Sequence, residues 1–321
     1  MKLVNFISIL ALLLFFGCTA QNKTPESTFR FNWGTSQQLE VVERCNKKSG
    51  TMELIHHGEF VKANDGFVLQ WRNPTITEIN GEKISGSKEL QEAVAVLSLE
   101  KSMAYPSFRI SNNGEFVEAI NVEESVAKVD RLMDSVATNR SEDNRKFFTN
   151  LPKSELGKAH LNEIYGLIWQ TWVGAWTDVN LADGKSRSVS ETVELSGVEV
   201  PATEKITNLG ATTPDPNIVS LKYEQDVSGT NFSHGLNNFV EKMAAETKIK
   251  SAGPITNEFS IRLLTVLEVQ TERQTLKPHW AKRTTKATFS APGEQTETEL
   301  EIREYLFQWG GTNVTKFKKQ P

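Results

Sequence analysis

Cysteine is almost missing from this chain: 321 residues carry two, Cys18 and Cys45. That excludes a disulfide-stapled framework and a thiolate-rich metal site. Histidine is scarce too, with five scattered residues. His56 and His57 are adjacent, so on a strand they point to opposite faces and cannot chelate together. His160 and Glu163 stand three apart on a predicted helix, a spacing some metal sites use, but no further ligands accompany them. There is no G-x-S-x-G elbow, no H-E-x-x-H, no P-loop and no G-x-G-x-x-G after a strand. The sequence thus points away from an enzyme, and neither a cofactor nor a metal is expected. A net charge of −4 gives no basic face for a nucleic acid. Beyond the first eighteen residues no apolar run approaches a membrane-spanning length.

What the chain does have begins at its N-terminus. Lys2 supplies a positive start, Leu3 to Phe16 is a short apolar run, and Phe15-Phe16-Gly17-Cys18 closes it. This reads as a signal peptide over residues 1–17. The closing residues resemble the lipobox of bacterial lipoproteins, with Phe15 in place of the usual Leu. The resemblance implies that Cys18 is lipidated and becomes the new N-terminus, leaving Cys45 unpaired. It implies a bacterial envelope location, lipid-anchored, and Thr19 after the cysteine points to the outer membrane, facing the periplasm. Residues 18–28 are polar and form a short tether.

From Phe29 to Ile79 apolar residues alternate with polar ones: Phe29, Phe31, Trp33; Leu39, Val41; Met52, Leu54, His56; Phe67, Leu69, Trp71. Turn chemistry falls between them at Lys48-Ser49-Gly50, Asp65-Gly66 and Asn80-Gly81. Cys45 shares a face with Leu39 and Val41 and reads as a buried, inert thiol. Ser87 to Met103 switches to helical spacing with Ser87 as cap. A hairpin follows around Asn113-Gly114, then helical patterns at 122–138 and 141–150. After Asp183-Gly184 strands resume, broken by a predicted helix at 233–248. The last long strands include Glu297 to Trp309, in which Glu297, Glu299 and Glu301 line a face expected to meet solvent. A basic tail, 310–321, ends the chain. Residues 29–309 thus read as one β-rich domain with a helical insertion at about 122–177.

The most apolar helix is predicted from Pro152 to Thr177. At about 100° per residue, Ile168, Trp169, Trp172 and Trp176 share one face with Leu161, Ile164 and Tyr165. Gly166 and Gly174 imply close packing there. Two readings stand side by side: a central core helix, or indoles that line an apolar ligand pocket. On the second, Ile168, Trp169, Trp172 and Trp176 are the ligand-binding residues.

The whole plan, an antiparallel sheet wound around an apolar helix and tethered by lipid, resembles the half-barrel carriers of bacterial envelopes. It implies an α+β fold, a curved half-barrel-like sheet packed on amphipathic helices. The function it implies is binding a hydrophobic molecule such as a lipid or acyl chain. No motif of those carriers is matched, so no residue is carried over from them. The alternative is a structural lipoprotein with a filled core that binds another envelope protein.

Overall fold

The computed structural model describes residues 29–34, 37–96, 105–122, 155–195, 198–211, 214–229, 260–290 and 295–310, with single positions 127, 241 and 245. The expected signal peptide, Cys18, the tether, the predicted helices at 141–150 and 233–248 and nearly all of those at 122–138 and of the tail lie outside these residues.

Alternation at period two builds most of what is described. In chain order the elements are β1 (Gln37–Lys47), β2 (Gly50–Ala63), β3 (Gly66–Trp71), β4 (Thr75–Ile79) and β5 (Glu82–Lys83). Helix α1 (Lys88–Val96), the hairpin β6 (Ser107–Ser111) and β7 (Phe116–Ile120), and helix α2 (Glu155–Trp172) follow. The chain closes with β8 (Ser186–Leu195), β9 (Val198–Gly210), β10 (Ile218–Gly229), β11 (Ser260–Glu272), β12 (Pro278–Ser290) and β13 (Glu297–Trp309). All pair antiparallel in one 13-stranded sheet, ordered β7-β6-β3-β2-β1-β13-β12-β11-β10-β9-β8, with β4 and β5 branching from β2. The last strand returns to the first, from Leu39 opposite Trp309 to Lys47 opposite Glu301.

The turn residues act as their chemistry dictates. Asn80 and Gly81 are the two residues between β4 and β5, both at positive φ (51° and 81°). Ser87 caps α1: its hydroxyl accepts from the Leu90 N–H at 3.3 Å. Pro201 lies inside β9 opposite Thr192 of β8, just beyond the last β10 partner at Ala202. It therefore disturbs one neighbour only.

The expected α+β class is overturned. The protein is mostly β, its single large sheet is not closed, and two short helices are all that the described residues hold. Among the described residues, helices α1 and α2 do not make a helical layer against a half-barrel. Instead the long strands bury most of the core among themselves and one helix. Other expectations shift by a few residues. Residues 29–34 are extended but pair in no ladder, although Phe29, Phe31 and Trp33 are buried in alternation as a strand would place them. Helix α2 stops at Trp172, and Trp176 sits on a separate 3-10 turn, Gly174–Trp176. His279 lies on β12.

Helix α2 crosses the inner face of the sheet. Asn162 Oδ1 accepts from the Ala119 N–H of β7 at 2.7 Å. A Cβ on Gly166 would lie 3.3 Å from the Phe116 ring, the close approach its glycine permits. Six residues on, Trp172 meets Trp71 of β3 and Tyr305 and Phe307 of β13. Six helical residues advance roughly 9 Å, whereas five strand spacings from β7 to β13 span roughly 24 Å if flat. Curl of the sheet toward the helix and the reach of large rings make up the difference.

Candidate functional site: the inner face beneath helix α2

The inner face holds two kinds of ground. Nearest the helix it is aromatic. Ile168, Trp169, Trp172 and Trp176 all join the main core, and each of the three indoles is 0% exposed. Phe31 packs on Trp33, Phe60, Phe67 and Trp169 with ring centres 5.2–6.0 Å apart, the range of offset and edge contacts. Trp33 also meets Trp309 at 4.7 Å. The unpaired N-terminal segment thus plugs the ring cluster.

The three indoles differ in what holds their N–H groups. Trp169 donates to the Gly114 carbonyl at 2.8 Å, and Trp176 to the Thr171 carbonyl at 3.2 Å. Thr171, on the same helix, is itself fully buried and donates back to the Leu167 carbonyl. Trp172 has no partner for its N–H among the described residues. Its ring lies 5.8 Å from that of Trp71 and 5.3 Å from that of Tyr305. The Trp71 N–H and the Tyr305 hydroxyl are buried and unpartnered as well.

Next to this ground runs a row of polar residues that sequence reading did not find. Direct cross-strand partners link Glu204, Gln225, Thr265, Thr285, Glu301 and Lys47 across six strands. Directly opposite residues share a face, and Thr265, Thr285 and Gln225 are buried on the side of Tyr223, Leu267 and Tyr305. Glu301 is therefore not at the solvent face expected from its Glu-rich alternation. Its carboxylate accepts from Arg303 Nε at 2.5 Å, from Arg283 at 2.8 Å and from Lys47 at 2.5 Å. Beyond the row, Ala202, Val227, Leu263, Ala287 and Phe289 are apolar and buried again.

At its β1 end the row rises to Glu43, only 2% exposed. Glu43 accepts from Arg303 Nη1 at 2.8 Å, from His56 Nε2 at 2.9 Å and from the Tyr105 hydroxyl. Tyr105 stacks flat on His56, ring centres 4.3 Å apart. Burial alone pushes the Glu43 carboxyl up. The His56 hydrogen bond and the Arg303 guanidinium outweigh it and hold it at about 2. For Glu301, burial is likewise outweighed by Arg303, Arg283 and Lys47, which keep it well below the carboxylate range. Burial, then the Glu43 charge, raise both Tyr105 and Tyr305. Arg303 is opposed by burial, yet Glu43 and Glu301 keep it firmly charged. Cys45, half-buried on the same face as expected, has its thiol raised mainly by burial. It has no character of a nucleophile.

Sequence alternation placed His56 inward, and it is 1% exposed while His57 is exposed. Glu43, Tyr105, Arg283, Arg303 and Tyr305 were missed as a group. The available signal was the phase of β13: Phe307 and Tyr305 set the inward parity, which carries straight on to Arg303 and Glu301. No cluster of three or more His, Cys, Asp or Glu among the described residues has metal-site geometry. Side-chain placement of His160 lies outside the described residues.

Comparison with known proteins adds little here. No protein family and no curated protein matches the chain. A solved structure concerning lipid–protein interactions in lipovitellin is similar over 90% of this chain, at 9% identity and a TM-score of 0.40. This chain spans 26% of that one. A likeness of that size carries no argument about what the present chain does.

Proposed function

We propose that the protein is a membrane-anchored envelope lipoprotein that binds a hydrophobic molecule, such as a lipid or acyl chain, against the Trp172 side of helix α2. It assigns Ile168, Trp169 and Trp176 to the supporting wall, and no chemical step. The observation that carries it is the state of Trp172. A closed core normally satisfies the polar handle of a buried indole, as it does for Trp169 and Trp176, though not for Trp33 in the N-terminal plug. Trp172, Trp71 and Tyr305 form one adjoining group whose handles are left for something else.

A second reading has a specific observation in its favour. All three helix indoles are completely buried against rings of the sheet, as in a filled core that serves binding to another envelope protein. Native mass spectrometry of membrane-extracted protein, beside thermal unfolding of Trp172→Ala, separates the two. The ligand reading expects a bound apolar mass in the wild type, weakened in the variant, at well under the 3–5 kcal/mol typical of emptying a core tryptophan site. No bound mass together with a full core-sized loss leaves the filled-core reading.

The anchor part of the proposal rests on Phe15-Phe16-Gly17-Cys18. Cys18→Ser is expected to leave the chain unprocessed or to shift it out of the membrane fraction. A variant still cleaved and still partitioning with detergent-phase membranes would remove the lipid anchor, and with it the outer-membrane, periplasm-facing location.

A further inference from the structure

Resting on that ligand reading, we infer that Trp172, Trp71 and Tyr305 receive an uncharged oxygen acceptor on the ligand, the ester or amide carbonyl at the head of an acyl chain.

Three observations lead there. The Trp172 ring packs on both other rings, with centres 5.8 Å from Trp71 and 5.3 Å from Tyr305. Trp172 and Tyr305 are each 0% exposed, and none of the three polar atoms has a partner among the described residues. All three can donate, and an indole N–H can do nothing else. A buried donor without an acceptor costs free energy, so the group is complementary to an oxygen acceptor and mismatched to a bare alkane.

The charge of the head follows from what lies next door. Tyr305 is the direct cross-strand partner of Glu43, whose carboxylate stays ionised down to about pH 2. Arg303 is already committed to Glu43 at 2.8 Å and Glu301 at 2.5 Å. An anionic head beside Tyr305 would meet the Glu43 charge, the strongest of those acting on Tyr305, with Arg303 already engaged and Arg283 and Lys47 committed to Glu301. A neutral carbonyl meets no such opposition. Phe307 packs on Trp172 and Phe108 on Trp71, so the side chains beside the donors are apolar, as the methylenes that follow a carbonyl require. Phosphate and free carboxylate heads are thereby disfavoured, and an acylated ester or amide is favoured.

The test uses the full-length protein, delipidated in mild detergent, with three probes followed by native mass spectrometry: methyl palmitate, palmitate and hexadecane. The wild type is expected to prefer methyl palmitate over each of the others by roughly tenfold, the worth of one or two good buried hydrogen bonds. Tyr305→Phe removes only the hydroxyl. It is expected to shrink the preference over hexadecane several-fold without lowering the melting temperature of the ligand-free protein, because the hydroxyl has no partner to lose among the described residues. Equal binding of methyl palmitate and hexadecane by the wild type, or a Tyr305→Phe protein with its preference intact, overturns the inference while the ligand reading stands. Palmitate bound more tightly than its methyl ester overturns the neutral head. Uptake of none of the three removes the ligand reading itself.

Discussion

Along β13 four successive inward positions change character halfway: Phe307 and Tyr305 belong to rings, Arg303 and Glu301 to ions. Strand β1 does the same, passing from Leu39 and Val41 to Glu43, Cys45 and Lys47. The two grounds are held by different physics. Ring contacts under α2 are non-directional and numerous, so the loss of one leaves others in place. The polar row depends on a few directed bonds between named atoms, two of them to one carboxylate oxygen of Glu301. A one-residue slip of any strand would carry its member to the outer face. The same slip would turn the inward rings outward, but the row adds directed bonds that only the native register of β1 and β13 to β9 satisfies.

Removing a charge from the row is the sharpest way to break that contrast. Arg303→Met keeps much of the side-chain volume but leaves buried Glu43 without its cation, while Glu301 keeps Arg283 and Lys47. Such an orphaned ion typically costs about 3–5 kcal/mol, read as a drop in the urea midpoint. A companion double replacement, Glu43→Gln with Arg303→Met, removes that pair of charges together and leaves Glu301 with Arg283 and Lys47. It is expected to recover a good part of that loss, since a buried ion set is often no better than its neutral replacement. A single variant as stable as the wild type would show the row to be ornament to the fold.

How legible each ground was in the sequence follows from the same contrast. Rings announce themselves by periodicity: Phe29, Phe31 and Trp33 alternate, and Ile168, Trp169 and Trp172 fall on one helical face. Asn80-Gly81 and the Ser87 cap were equally visible, because each is a local backbone requirement. The α+β expectation failed because helical periodicity tells that a helix exists, not how much of the fold it makes; the long central strands decide that. The polar row was hidden for a different reason. Each strand contributes one or two polar residues to it, and within a strand Glu299 and Glu301 look like an ordinary solvent face beside Leu300 and Ile302. Only the pairing across strands reveals that Glu301 stands opposite Thr285 and Lys47. Leu300 is in fact the exposed residue.

Acid sharpens the comparison at slightly smaller cost. The Glu43 carboxyl lies at about 2 in the folded protein, against an ordinary 4.5. In the unfolded chain it takes up a proton as pH falls through its ordinary value, while the folded protein resists until much lower. The stabilisation is thus fully present above about pH 5 and is lost progressively as pH falls from there toward 2. A depression of this size corresponds to about 3 kcal/mol, and Glu301, held down by three cations, acts in the same direction. The ring cluster contributes nothing that titrates in this range. Equilibrium unfolding of the wild type at steps from pH 6 to pH 2.5 should therefore show a marked fall that Trp169→Ala reproduces from a lower starting point. Glu43→Gln should start lower too, but its slope with pH should be visibly shallower. Parallel slopes for Glu43→Gln and the wild type would mean that Glu43 is not held down by His56 and Arg303 in solution. The contrast between directed ions and undirected rings would then fail at its most buried member.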